Sequence, residues 1–281
     1  MMIEPSRHGV LAVMLGALCG ITPASAALPC LKEKPWFGHC LVYIDKKYNF
    51  GLTGAAEGML TPMGKSGRPI SQGLMLPVTF VVEEVLPNGV TITKKILPDS
   101  LTTKDLPTSK PGKISFRGKV TGGASFEGHL AVERGVVSIG GRLLDAGTLK
   151  TNPLRFGIRV SFPSSYRNKP QIDKQAAREF EEKLKDDHFA ILWSDDKRVR
   201  FCGNDKLEAG SKKINGPGIA GLKVEVGSYQ GKVFEFAATK NSRMELWCRL
   251  KQPLHQGFSI NWYPDPAKDP EGKSRLTLDV K

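Results

Sequence analysis

From about residue 75 onward, hydrophobic side chains recur mostly at every second position, in short runs broken by glycine, proline and asparagine. A period of two sends alternate side chains to opposite faces of a strand, so such runs suit antiparallel sheets with one buried face. Val78, Phe80 and Val82 alternate with Thr79, Val81 and Glu83. Asn88-Gly89 then supplies a hairpin turn, because both turn residues must tolerate positive φ. The clearest meander follows a Pro, Ser, Thr and Lys-rich connector over 97–112. Its inward sets are Ile114, Phe116 and Val120, then Ala124, Phe126, Leu130 and Val132, then Val137, Ile139 and Leu143. Leu154, Phe156, Ile158, Val160 and Phe162 make another strand, with Arg155 and Arg159 on its opposite face. Further short strands are expected over 189–201, 222–226, 233–236, 244–250, 258–262 and 276–280.

One stretch breaks the pattern. Ile172, Ala176, Ala177, Phe180 and Leu184 recur at spacings of three and four, which predicts one amphipathic helix at about 170–187. The fold class expected is mainly β: antiparallel, β-sandwich-like layered sheets with that single helix. A weak echo between 153–163 and 253–264 raises a two-module arrangement, 27–165 and 188–281, joined by the helix.

The N-terminus predicts export. Arg7 precedes an uncharged apolar stretch from Gly9 to Ile21, and Ala24-Ser25-Ala26 supplies small residues for cleavage, giving a signal peptide over 1–26. The mature region, 27–281, is expected in the periplasm or outside the cell. No later run of about 18 uncharged apolar residues predicts a transmembrane segment. Four cysteines follow the signal, Cys30, Cys40, Cys202 and Cys248, and an even number in an exported chain suggests two disulfides. The shortest loops come from pairing Cys30 with Cys40 and Cys202 with Cys248.

The formal net charge is +13, spread along the chain without a block of five or six like charges. That balance favours an acidic polysaccharide or other cell-envelope polyanion as partner and disfavours a nucleic-acid tail. Signatures of common enzymes are missing: no Gly-x-Ser-x-Gly elbow, no His-Glu-x-x-His and no phosphate loop. Cys30, His39 and Cys40 lack metal-site spacing, so neither a metal nor a cofactor is expected. His129 lies beside Glu127 on the polar face of its strand, where a solvated histidine is the simpler reading than a general base. The adjacent acids Glu83-Glu84, Asp186-Asp187 and Asp195-Asp196 point to opposite faces if extended, so none forms a catalytic pair by itself. Asp265, Asp269 and Glu271 sit in a proline-broken loop without calcium-loop spacing.

The most distinctive face is cationic and aromatic. Trp247 falls opposite Met244, Leu246 and Cys248, on the side of Arg249 and Lys251. A tryptophan among cations can stack a sugar while the cations neutralise acidic groups. Trp247, Arg249 and Lys251 are therefore the expected ligand contacts. The function that follows is an exported, non-enzymatic binding or structural protein with affinity for anionic glycans. The alternative is an exported carbohydrate-active hydrolase whose paired carboxylates are assembled by the fold.

Overall fold

The computed structural model describes residues 28–109, 112–164, 174–205, 207–248 and 254–281. The signal-peptide expectation over 1–26 lies outside them. In chain order the strands are β1 (His39–Ile44), β2 (Tyr48–Thr53), β3 (Glu57–Pro62), β4 (Leu76–Val85), β5 (Thr91–Lys94) and β6 (Ile96–Thr103). Then come β7 (Lys113–Val120), β8 (Ser125–Glu133), β9 (Val136–Asp145) and β10 (Leu154–Phe162). After the helix α1 (Lys174–Leu184) follow β11 (His188–Trp193), β12 (Arg198–Cys202), a one-turn helix α2 (Lys212–Asn215) and β13 (Ile219–Glu225). The chain ends with β14 (Val233–Ala238), β15 (Ser242–Trp247), β16 (Phe258–Pro264) and β17 (Arg275–Val280).

The named strand pairs are antiparallel, and they fall into two layers. The first runs β1-β2-β3-β4-β10-β16-β15, with β5 beside the C-terminal half of β4. The second runs β6-β7-β8-β9-β17-β14-β13-β11-β12. A single register pair, Ile219 with Met244, links β13 to β15 and makes the ladder continuous. The inward positions set by the alternation meet between the layers. Phe80 of β4 meets Phe116 of β7 edge-on at 5.0 Å, and Phe156 of β10 stacks on Phe126 of β8 at 6.0 Å. Phe162 of β10 stacks on its neighbour Phe258 at 4.8 Å and meets Phe234 and Phe236 of β14 at 5.5 and 5.9 Å. Edge-on and offset contacts of this kind suit the quadrupoles of the rings. The mainly antiparallel layered fold is thus present, and the segments that echoed each other are direct neighbours, Phe162 opposite Phe258.

Three differences from the sequence expectation have physical causes. The helix ends at Leu184 rather than 187, because the N–H groups of Lys185 and Asp187 turn to the carbonyls three residues back, Glu182 O and Leu184 O, at 3.1 Å; residues 165–173, with the expected start, lie outside the description. Just past its end Lys185 bonds Glu182 at 2.6 Å, an i,i+3 pair. The connector over 97–112 contains strand β6, because Leu101 is fully buried and anchors it. Its ladder on β7 breaks between Leu97 and Thr102, and Ser100 bridges the gap: its Oγ donates to Leu97 O at 2.6 Å and accepts from Lys119 N at 2.7 Å.

The cysteines require the third correction. Cys30, Cys40, Cys202 and Cys248 are all free thiols. Cys202 aligns through His188 with Glu225 at one end of β13. Cys248 follows β15, which meets β13 at Ile219, the other end. Six strand positions separate those ends by roughly 20 Å, whereas a disulfide needs Cα atoms within about 7 Å. Cys30 and Cys40 each turn to a carbonyl, Leu28 O at 3.2 Å and Leu52 O at 3.3 Å. Burial, and then the neighbouring Cys30, push the Cys40 thiol up to about 12, which keeps it protonated and inert. Among the described residues, no helix is long and apolar enough to cross a membrane.

Candidate functional site

The outward face of the first layer is built by register. Glu83 on β4 lies opposite Arg155 on β10, and Arg159 lies opposite Asn261 on β16. Tyr263 and Ser259 follow on the same face of β16, and Ser259 lies opposite Trp247 on β15. Glu83 is only 1% exposed. A buried carboxylate must be paired and hydrogen-bonded, and this one is bonded by three donors. Arg155 Nε donates to Oε2 at 2.8 Å, Arg159 Nη2 to Oε1 at 2.6 Å, and Tyr263 Oη to Oε2 at 3.0 Å. Arg159 Nε also donates to Asn261 Oδ1 at 3.0 Å.

Both guanidinium groups then stack. The Arg155 Cζ stands 4.0 Å from the Tyr263 ring centroid, and the Arg159 Cζ 5.3 Å from that of Trp247. Both distances lie within cation–π range. Gly157 makes this possible. A Cβ there would come 2.7 Å from Tyr263 Cδ1 and 2.8 Å from the Trp262 carbonyl, so only glycine lets the tyrosine ring reach across β10 to Glu83. Burial, and then the Glu83 charge, raise the Tyr263 hydroxyl above its ordinary range, so it stays a donor.

Beside this cluster on the same face Arg243 pairs with Glu245 at 3.2 Å, opposite Tyr263 and Asn261, so the face carries three positive groups and two negative groups. It borders a cleft of about 780 Å³, whose wall includes Arg155 and Tyr263 together with Lys240, Arg243, Asn241 and Lys268. Arg155 and Arg159 keep 31% and 20% of their side chains in solvent. Each guanidinium has five N–H donors, and these bonds use one of Arg155 and two of Arg159. The arrangement can hold a carboxylate or sulfate and offer a partly exposed ring, since Trp247 is 37% exposed. Trp247 therefore stands where the alternation put it, with Met244 and Leu246 buried behind it. Arg249 and Lys251 lie outside the described residues. Arg155 and Arg159 join Trp247, whereas Arg198 and Arg200 sit on β12 in the other layer.

Sequence reasoning missed Glu83, Tyr263 and Asn261 as partners. The usable signal was Arg155 with Arg159: two cations on one face of a strand need a counter-charge. The remaining candidate acids serve local structure. Glu84 pairs with Lys94 and accepts from Asn152, and Asp195 pairs with Lys197 at 3.1 Å. Asp187 accepts from Gly227 N at 2.9 Å. In the loop before β17, Asp269 accepts from Lys273 N at 2.8 Å and Ser274 N at 2.7 Å, while Asp265 pairs with Lys268 at 3.3 Å. Those oxygens hold the loop itself.

The sequence matches no protein-family model and no curated protein. Among solved structures it is similar in fold to an α-N-acetylgalactosaminidase, NagBb, from Bifidobacterium bifidum. In its GalNAc complex that protein gives a TM-score of 0.53 at 9% identity, over 85% of this chain and 35% of the other. In its Gal-NHAc-DNJ complex it gives 0.53 at 10% identity, over 85% and 36%. The chain thus spans about a third of the length of that protein. At such low identity the likeness shows the β-rich fold alone.

Proposed function

We propose that this chain is an exported β-sandwich protein that binds an anionic glycan on the face carrying Arg155, Arg159, Tyr263 and Trp247. The observation that carries the reading is the pair of stacked arginines on a buried carboxylate, Arg155 on Tyr263 and Arg159 on Trp247. It gives fixed cations beside a partly exposed aromatic ring, at the edge of a cleft with further lysines. An overall charge of +13 favours the same partner by long-range attraction. The fold likeness to a protein solved in a GalNAc complex agrees with a sugar ligand. Binding here needs no turnover. Both carboxylates of this face are engaged by cations, Glu83 by Arg155 and Arg159 and Glu245 by Arg243, so hydrolysis by paired carboxylates gains no support from it.

The test is calorimetric titration with polygalacturonate. The protein should bind at low ionic strength and release as salt is raised, because screening weakens exposed charge pairs. Trp247→Ala should weaken binding about tenfold, the effect of losing one stacking platform worth roughly 1–2 kcal/mol. Binding that is indifferent to both salt and Trp247 would remove this reading.

A further inference from the structure

On the outward face of the second layer, three side chains meet that the glycan reading does not use. Ser115 on β7 and His129 on β8 are cross-strand partners, and Glu127 precedes His129 by two residues on the same face. His129 Nδ1 lies 3.0 Å from Ser115 Oγ. Its Nε2 lies 3.7 Å from Glu127 Oε1. Glu127 is held by Arg142, whose Nε donates to Oε1 at 2.7 Å. The group opens on a cavity of about 590 Å³ that also carries Thr103, Lys104, Asp105 and Arg117.

We infer that Ser115 is a nucleophile toward short-chain acyl esters, with His129 as its general base and Glu127 as a positioning residue. The reading stands independently of the glycan site. Burial first, and then the charge of Arg275, hold the imidazole below its usual 6.5, so the ring is neutral at neutral pH. With the ring proton on Nε2 toward Glu127, the Nδ1 lone pair faces the serine hydroxyl. His129 Nδ1 takes that proton as Oγ bonds to the ester carbonyl carbon. Collapse of the tetrahedral adduct breaks the bond to the alcohol oxygen, which receives the proton from the imidazolium. Water then attacks the acyl-serine with His129 again as base, releasing the carboxylic acid and restoring Ser115. The balance is ester plus water to acid plus alcohol, with no other reactant. The Ser115 N–H already donates to Asp105 Oδ2 at 2.6 Å, so the charge on the carbonyl oxygen falls to Lys104 and Arg117. The wall sets these polar side chains among apolar surface that includes Phe116, which suits a short acyl chain on a hydroxylated alcohol.

The charged groups around the imidazole are Glu127 on its own strand, Lys113 and Arg117 on β7, Arg142 on β9 and Arg275 on β17, with Lys104 and Asp105 after β6. Of these, Glu127 raises its pKa and Arg275 and Arg142 lower it. The test treats the full chain with a fluorophosphonate probe and with p-nitrophenyl acetate. Peptide mapping should find the probe on Ser115. Ser115→Ala should abolish labelling and His129→Gln should slow it at least tenfold, while Asp195→Asn, in the exposed turn between β11 and β12, leaves it unchanged. The rate should fall with acidity through one ionisation below pH 6.5, and Glu127→Gln should move that ionisation to lower pH. A purely structural Glu127 would not move it. An unlabelled Ser115 in the folded wild-type chain, or equal ester hydrolysis by Ser115→Ala, would overturn the inference.

Discussion

Glu83→Ala should destabilise the protein by about 3 kcal/mol, read as a fall in the urea midpoint at unchanged slope. Breaking a buried ion pair costs most when the surviving charge is sealed from water. Here Arg155 and Arg159 retain 31% and 20% of their side-chain exposure, which places the effect at the low end of the usual range for a buried pair. Part of the loss comes from Tyr263, whose buried hydroxyl would lose its acceptor. Glu271→Gln is the control, since its pair with Lys273 stands in water and should leave the midpoint where it was. An unchanged midpoint for Glu83→Ala would mean that the carboxylate does not anchor the two arginines.

Phe162→Ala should cost about 3–5 kcal/mol, the range for emptying a large aromatic site in a packed core. The ring stacks on Phe258 at 4.8 Å within its own layer. It also touches Tyr229 at 6.1 Å, and Phe234 and Phe236 of the opposite layer. Collapse cannot refill the space from one side, because these neighbours come from strands of both sheets and from the turn between β13 and β14. Phe37→Ala, at a ring 73% exposed, should change the same urea midpoint little. Equal midpoints for Phe162→Ala and wild type would argue against the two-layer packing.

The alternation in 78–82, 114–143 and 154–162 was enough to read the strands and which side chains face inward, because one buried face enforces a period of two. It could not tell which strands lie side by side. Arg155 meets Glu83 across 72 residues, and Arg159 meets Asn261 across 102. Such distant neighbours are chosen by the whole core rather than by local pattern. The outward arginine face was therefore half legible: Trp247 and the two arginines stood out on polar sides of strands, while the carboxylate joining them did not. Strand β6 was hidden because Pro98, Asp99 and Ser100 interrupt its alternation, and a serine side chain replaces the missing ladder bonds. The pairing of Cys202 with Cys248 failed for a related reason: cysteine parity carries no information about which end of a strand each thiol occupies.

The proposal that the stacked arginine face holds a charged sugar chain is tested most directly by watching its tryptophan. In a ¹H–¹⁵N spectrum of the full chain, the Trp247 indole signal, assigned with Trp247→Phe, should shift progressively as an oligogalacturonate is added at low salt. The signal of Trp262, fully buried between the layers, should stay in place. A ligand that binds while the Trp247 signal remains fixed would contradict the account.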